Sequence, residues 1–159
     1  ENASAEVYRE RMQAFYDAAA LLSYLVIIPV MLSAGPLITL LFGPEYSEAA
    51  SILQVHIWAF LFVSLGVARG KWLIAENYTR FAMIAAILGA ASNVGLNVLL
   101  IDDYGGIGAA WATVFSQCTT AYLVCLYIPL LRIQLSKAMV SPLRITNVYE
   151  DLNKIISKK

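Results

Sequence analysis

The sequence predicts an all-α fold, a polytopic membrane protein of four transmembrane helices, and three observations carry that reading. Apolar residues make up 60% of the 159 positions and charged residues only 14%, against about 45–50% and about 25% in soluble domains. The apolar residues fall in runs of about 20 or more, the length a helix needs to cross the hydrocarbon of a bilayer. The 11 basic residues lie only at the two ends of the chain and around one inner connection. Glu45, Glu48, Asp102 and Asp103 are the only charges in the other two connections.

Residues 1–17 are polar, with Tyr8, Met12 and Phe15 at helical spacing among Arg9, Glu10 and Arg11. They predict an amphipathic lead-in helix at the membrane surface. Asn2-Ala3-Ser4 matches a glycosylation sequon, on a side of the membrane where the charge pattern places no glycan. The first span covers residues 18–42. Pro29 in its middle and Gly35-Pro36 beyond predict a kink or break, because proline lacks the N–H and crowds the carbonyl four residues back. Gly43-Pro44-Glu45-Tyr46-Ser47 then reads as a turn. The second span, residues 49–75, is expected as one helix of about 40 Å, with Gln54, His56 and Ser64 as polar interruptions.

Glu76-Asn77-Tyr78-Thr79 is the next turn. The third span is expected over residues 80–101 and the fourth over 107–131, with Pro129 near its end. Gly89, Asn93 and Asn97 share one face of the third span. Gly105, Gly108, Ala109, Ala110 and Ala112 offer a surface on which another backbone can lie close, which is how helices pack in lipid. Cys118 and Cys125, seven apart on one helix, stand about 10 Å apart along its axis, too far for a disulfide. Residues 132–159 turn basic. Leu143, Ile145, Val148, Tyr149, Leu152, Ile155 and Ile156 form an apolar stripe suited to an anionic lipid surface or to docking on the protein's own cytoplasmic face.

Orientation follows from charge. With basic residues retained on the inner side, both termini are cytoplasmic and the two acidic turns face out. The formal net charge of zero argues against nucleic acid as a partner. No catalytic constellation is present, so no enzyme is expected. His56 has no second histidine or cysteine at metal spacing, and neither a metal nor a cofactor is implied. His56 has two readings, an ion-coupling group or a polar packing residue. Arg69, a charge close to hydrocarbon, is either a phosphate ligand or a cationic anchor beside Lys71 and Trp72. Asn93, Asn97 and Gln117 either line a cavity and bind sugar hydroxyls or hydrogen-bond between helices.

Four motifs, in order, carry a family resemblance. These are Leu41-Phe42-Gly43-Pro44-Glu45-Tyr46, Lys71-Trp72-Leu73-Ile74-Ala75-Glu76-Asn77, Asn93-Val94-Gly95-Leu96-Asn97 and Gly106-Ile107-Gly108-Ala109-Ala110-Trp111-Ala112-Thr113. Over residues 18–131 the chain resembles the C-terminal part of polysaccharide-biosynthesis flippases, the O-antigen and exopolysaccharide repeat-unit translocases of the multidrug/oligosaccharidyl-lipid exporter superfamily. The resemblance implies part of the second of two six-helix lobes around a central cavity. It further implies movement of an undecaprenyl-pyrophosphate-linked oligosaccharide across a bacterial inner membrane by alternating access. The implied partners are that lipid-linked oligosaccharide, the missing N-terminal lobe and anionic membrane lipids. The family often has proline where Asp102 and Asp103 stand, so the outer turn is expected to differ. Glu1 in place of Met and the absence of a signal peptide predict a piece of a longer protein. A drug or cation exporter of the same superfamily and a non-transporting membrane scaffold are the alternatives.

Overall fold

The computed structural model describes residues 2–123, 125 and 128–143, and it is helical almost throughout. Helix α1 (Asn2–Phe42) runs 41 residues through both Pro29 and Pro36, about 60 Å. The lead-in and first span are therefore one helix, and the expected break does not occur. Two side chains serve carbonyls beside the prolines. Ser33 Oγ donates to the Pro29 carbonyl at 2.7 Å, and Gln54 Nε2, from the next span, donates to the Met31 carbonyl at 3.2 Å. The carbonyls that the prolines deprive of a donor are those four residues back, of Leu25 and Leu32, and neither of these two bonds reaches them.

Gly43 ends α1 with φ +101°, a backbone region open to glycine, and Pro44–Tyr46 forms a single 3-10 turn with proline at its start. The second span is two helices rather than one: α2 (Ser47–His56) and α3 (Ala59–Ala75). Ile57 and Trp58 keep right-handed helical angles, but the bonds tighten from i−4 to i−3. Trp58 N–H donates to Val55 at 3.2 Å, and Phe60 N–H to Ile57 at 3.1 Å. Such a tightened turn is a local overwinding within a continuous path.

Helix α3 closes with a complete Schellman motif. Tyr78 N–H reaches the Leu73 carbonyl at 2.7 Å and Asn77 N–H reaches Ile74 at 3.2 Å. Asn77 takes the left-handed position at φ +60°, where asparagine is tolerated second only to glycine. The predicted turn lies there.

The third long helix, α4 (Thr79–Leu123), has 45 residues and one non-helical residue, Gly105, at φ 57° and ψ −136°. Straight, it would run about 68 Å, twice the hydrocarbon thickness. It folds back instead. Asn93 Nδ2 donates to Ser116 Oγ at 3.1 Å. A methyl group built on Gly108 would strike the Leu100 carbonyl, and one on Gly89 would strike the Thr120 hydroxyl. The pairs 100/108, 93/116 and 89/120 step outward from Gly105 in antiparallel register. Three helices of spanning length and composition, Ala5–Phe42, Pro44–Ala75 and Thr79–Leu123, therefore make four passes, the last two being arms of one hairpin.

The fourth pass is shorter than expected, since its helix ends at Leu123. Pro129 does not close that span; it opens α5 (Pro129–Val140). Ile128, at φ −125° and ψ 89°, is held extended by the ring that follows it. Helix α5 is amphipathic, with Leu131, Gln134, Leu135 and Ala138 buried and Arg132 and Lys137 exposed. It docks on the first half of α1. Gln13 Nε2 donates to the Gln134 carbonyl at 3.1 Å, and Gln134 Nε2 donates to the Arg9 carbonyl at 3.2 Å. This start of the basic tail thus packs on the protein itself. The predicted stripe through Ile145, Val148, Tyr149, Leu152, Ile155 and Ile156 lies outside the described residues.

The main core joins Tyr16, Ala20 and Ile27 of α1 to Leu61, Leu65, Ala68, Trp72 and Leu73 of α3, with Leu131, Leu135 and Ala138 of α5. A smaller cluster, Ala34, Ile38 and Ala50, ties α1 to α2. Outward faces carry Leu22, Leu32, Leu40, Val94, Val98 and Leu99, each more than 60% exposed. In water such faces are costly, whereas in lipid they are in their own solvent.

Candidate functional site

Polar side chains inside the spans gather on the hairpin and on the face of α3 beside it. Asn93 reaches across the two arms to Ser116, while Asn97 Nδ2 donates back to Asn93, to its carbonyl at 2.8 Å and to Oδ1 at 3.1 Å. Ser116 Oγ donates to the Thr113 carbonyl at 2.9 Å and Thr120 Oγ1 to the Ser116 carbonyl at 2.9 Å. Gly89 and Gly108 permit the close approach that makes the Asn93–Ser116 bond possible. Both asparagines remain half-buried. With Val94, Val98, Ile101 and Asp102 they line a shallow recess of about 400 Å³ toward the acidic end. Asn93 thus serves as interhelical bond and wall of an opening at once.

Arg69 is 4% exposed. It does not snorkel as a surface anchor. Its Nη1 donates to the carbonyls of Thr120 at 2.5 Å and Ala121 at 2.7 Å. Helix α4 ends at Leu123, so both carbonyls lie in its last turn, where helix carbonyls run short of backbone donors. A cation there also meets the negative end of the helix dipole. Arg69 is thus a C-terminal cap supplied by a neighbouring helix. Its Nε is buried without a hydrogen-bond acceptor, as is the Tyr16 hydroxyl. Arg69 and Gln117 share a second recess, of about 200 Å³, with Phe62, Val63, Gly66, Val67, Thr120 and Ala121.

Lys71 and Trp72 part company. Lys71 is exposed, with its ammonium 5.9 Å from the Phe15 ring centroid. Trp72 is buried and stacks on Tyr78 at 5.9 Å. His56 lies exposed at the end of α2 and lines neither recess. The structure therefore joins Asn93 with Asn97 and Arg69 with Gln117, and leaves His56 outside both. Ser116 and Thr120 were not among the candidate site residues read from sequence, and Cys125 was read only as unable to pair with Cys118. The hydroxyls at 113, 116 and 120, spaced three and four apart, are the signal that places the first two on one face. Among the described residues no three His, Cys, Asp or Glu side chains group as metal ligands.

No family model and no solved structure matches the chain. Curated relatives do. The chain is 29% identical over 110 residues to a probable low-salt glycan biosynthesis flippase of Haloferax volcanii, covering 67% of this chain and 23% of that protein. It is 27% identical over 112 residues to an uncharacterized membrane protein of Methanocaldococcus jannaschii, covering 68% and 22%. It is 38% identical over 79 residues to an uncharacterized membrane protein of Bacillus subtilis, covering 50% and 15%. The chain spans less than a quarter of the length of each.

Proposed function

We propose that this chain is a four-pass part of a translocase that carries lipid-linked glycan across a membrane during glycan biosynthesis. The observation that carries the reading is the similarity to the probable glycan biosynthesis flippase over two thirds of the chain, joined to an all-α fold with spanning helices. The amides of Asn93, Asn97 and Gln117 border open recesses within spans, where they offer both donors and acceptors to sugar hydroxyls. The finer reading is an undecaprenyl-pyrophosphate-linked oligosaccharide moved across a bacterial inner membrane, with both termini of the chain cytoplasmic. It is supported by the four sequence motifs and by the charge pattern. A pyrophosphate role for Arg69 requires the guanidinium to leave the carbonyls that now hold it.

Disruption of the gene in its own organism is the test. Lipid-linked glycan should accumulate on the cytoplasmic leaflet, and complementation with Asn93→Leu should leave part of that accumulation in place while membrane levels stay normal. Undisturbed glycan export together with increased sensitivity to cationic drugs would replace this reading with the drug-exporter one.

A further inference from the structure

Arg69 is a buried cation held only by neutral partners in the contacts described above. Two main-chain carbonyls share Nη1, and Nε has no acceptor. A guanidinium has five N–H donors in a planar fork, matched in geometry and charge to a phosphate-type oxyanion rather than to two carbonyls of one helix. Beside it lies a recess large enough for such an anion, with the Gln117 amide in its wall and apolar residues of α3 opposite. The cap and the recess compete for the same side chain. While Arg69 holds the Thr120 and Ala121 carbonyls, α4 ends where it does and the chain crosses to α5. When an anion takes the guanidinium, those carbonyls lose the hydrogen bonds from Arg69, and the end of α4 loses that polar tie to α3.

We infer that the Arg69–Gln117 recess is a binding site for a phosphate-type anion and that its occupation unlatches the C-terminal end of α4 from α3. The inference rests on the transport reading only for the natural source of the anion. Cys125 is a reporter already in place. Its thiol is 1% exposed, it lies within electrostatic reach of Arg69, and its Sγ approaches the Ala121 carbonyl, one of the two that Arg69 caps, at 3.7 Å.

The test follows the rate at which a small maleimide modifies Cys125. It uses the whole 159-residue chain, carrying Cys118→Ser to remove the second thiol, in phosphatidylcholine nanodiscs. Inorganic pyrophosphate should raise that rate roughly fivefold or more, the range in which two coupled sites respond, and Gln117→Ala should weaken the response. Arg69→Gln should label fast without pyrophosphate and show no further response. Arg69→Lys, which keeps the charge but loses the fork, should label at an intermediate rate. Nanodiscs with phosphatidylglycerol identify the source. A rise there without pyrophosphate assigns the anion to a lipid headgroup, and a rise with pyrophosphate alone assigns it to a pyrophosphate group; both support the latch. A flat rate in both arms, or a rise that sodium chloride reproduces at equal ionic strength, overturns it. Labelling requires no transport, so that failure would leave the glycan reading to the accumulation assay.

Discussion

A methyl group added at Gly108 would run into the main chain at Leu100, whereas one added at Gly95 would meet nothing within 4 Å. The two positions lie on opposite arms of the same hairpin and separate two roles of glycine. At Gly108 the missing Cβ allows a close helix approach that only a backbone shift relieves, so Gly108→Ala should destabilise by about 1–3 kcal/mol. At Gly95 glycine only loosens the helix, and alanine should stabilise by about 0.5–1 kcal/mol. Gly89 is intermediate, because the nearest obstacle is the Thr120 hydroxyl, a side-chain group. Gly89→Ala should therefore cost less than Gly108→Ala, and Thr120→Ala should recover part of that cost. Unfolding midpoints in detergent check the order. Equal effects at Gly108 and Gly95 would mean that the arms do not meet as described. Small residues after Asp103 were legible in the sequence as a packing surface. Their partner was not, because which residues of the facing helix they meet depends on where the hairpin folds.

At the scale of elements, helix ends are where reading and structure diverge most. The turn after Ala75 was legible because Glu76-Asn77-Tyr78 breaks an apolar run, and Asn77 fills the left-handed position of the Schellman motif. Replacing it with Val should cost about 1–2 kcal/mol, since a β-branched residue is poorly suited to that conformation, while Gly should be neutral or better. The end of the fourth pass was not legible. Apolar residues continue from Ile107 to Leu131, and nothing local shows that Leu123 closes one helix while Pro129 opens another. Arg69, 54 residues earlier in the chain, supplies the cap. A long-range partner also meets α1 between its two prolines, where Gln54 reaches the Met31 carbonyl. The docking of α5 has a direct check. Leu135 is fully buried in the main core, so Leu135→Asp should release α5 from α1. Trypsin should then cut at Arg132 and Lys137 several-fold faster than in the parent, as expected when local opening becomes easier. Unchanged cleavage would mean that α5 is not held by that face.

At the scale of the whole molecule, the connections sort by charge into two ends, as the sequence implied. The Tyr8 hydroxyl donates to Glu76 at 3.2 Å, Lys71 lies over Phe15, and Gln134 donates to the Arg9 carbonyl. These contacts gather the lead-in part of α1, the turn after α3 and helix α5 at one end, with Arg9, Arg11, Lys71, Arg80, Arg132 and Lys137 on them. At the other end, a methyl group on Gly106 would meet the Ile52 side chain. This brings the hairpin tip, with Asp102 and Asp103, to α2, which follows Glu45 and carries Glu48 in its first turn. A molecule with one basic and one acidic end has its orientation set by the cost of moving Lys and Arg outward, and the basic end should remain cytoplasmic. Single cysteines at Glu45, Asp103 and Glu76, in a chain carrying Cys118→Ser and Cys125→Ser, measure this directly, since all three native residues are exposed. In intact cells an impermeant thiol reagent should label the cysteines at 45 and 103, and the one at 76 only after the membrane is opened. Labelling at 76 in intact cells, with 45 and 103 protected, would invert the orientation and move the Arg69–Gln117 recess to the outer half of the membrane. An anion held there would meet Arg69 at the delivery side of the path rather than at the side where lipid-linked glycan is picked up.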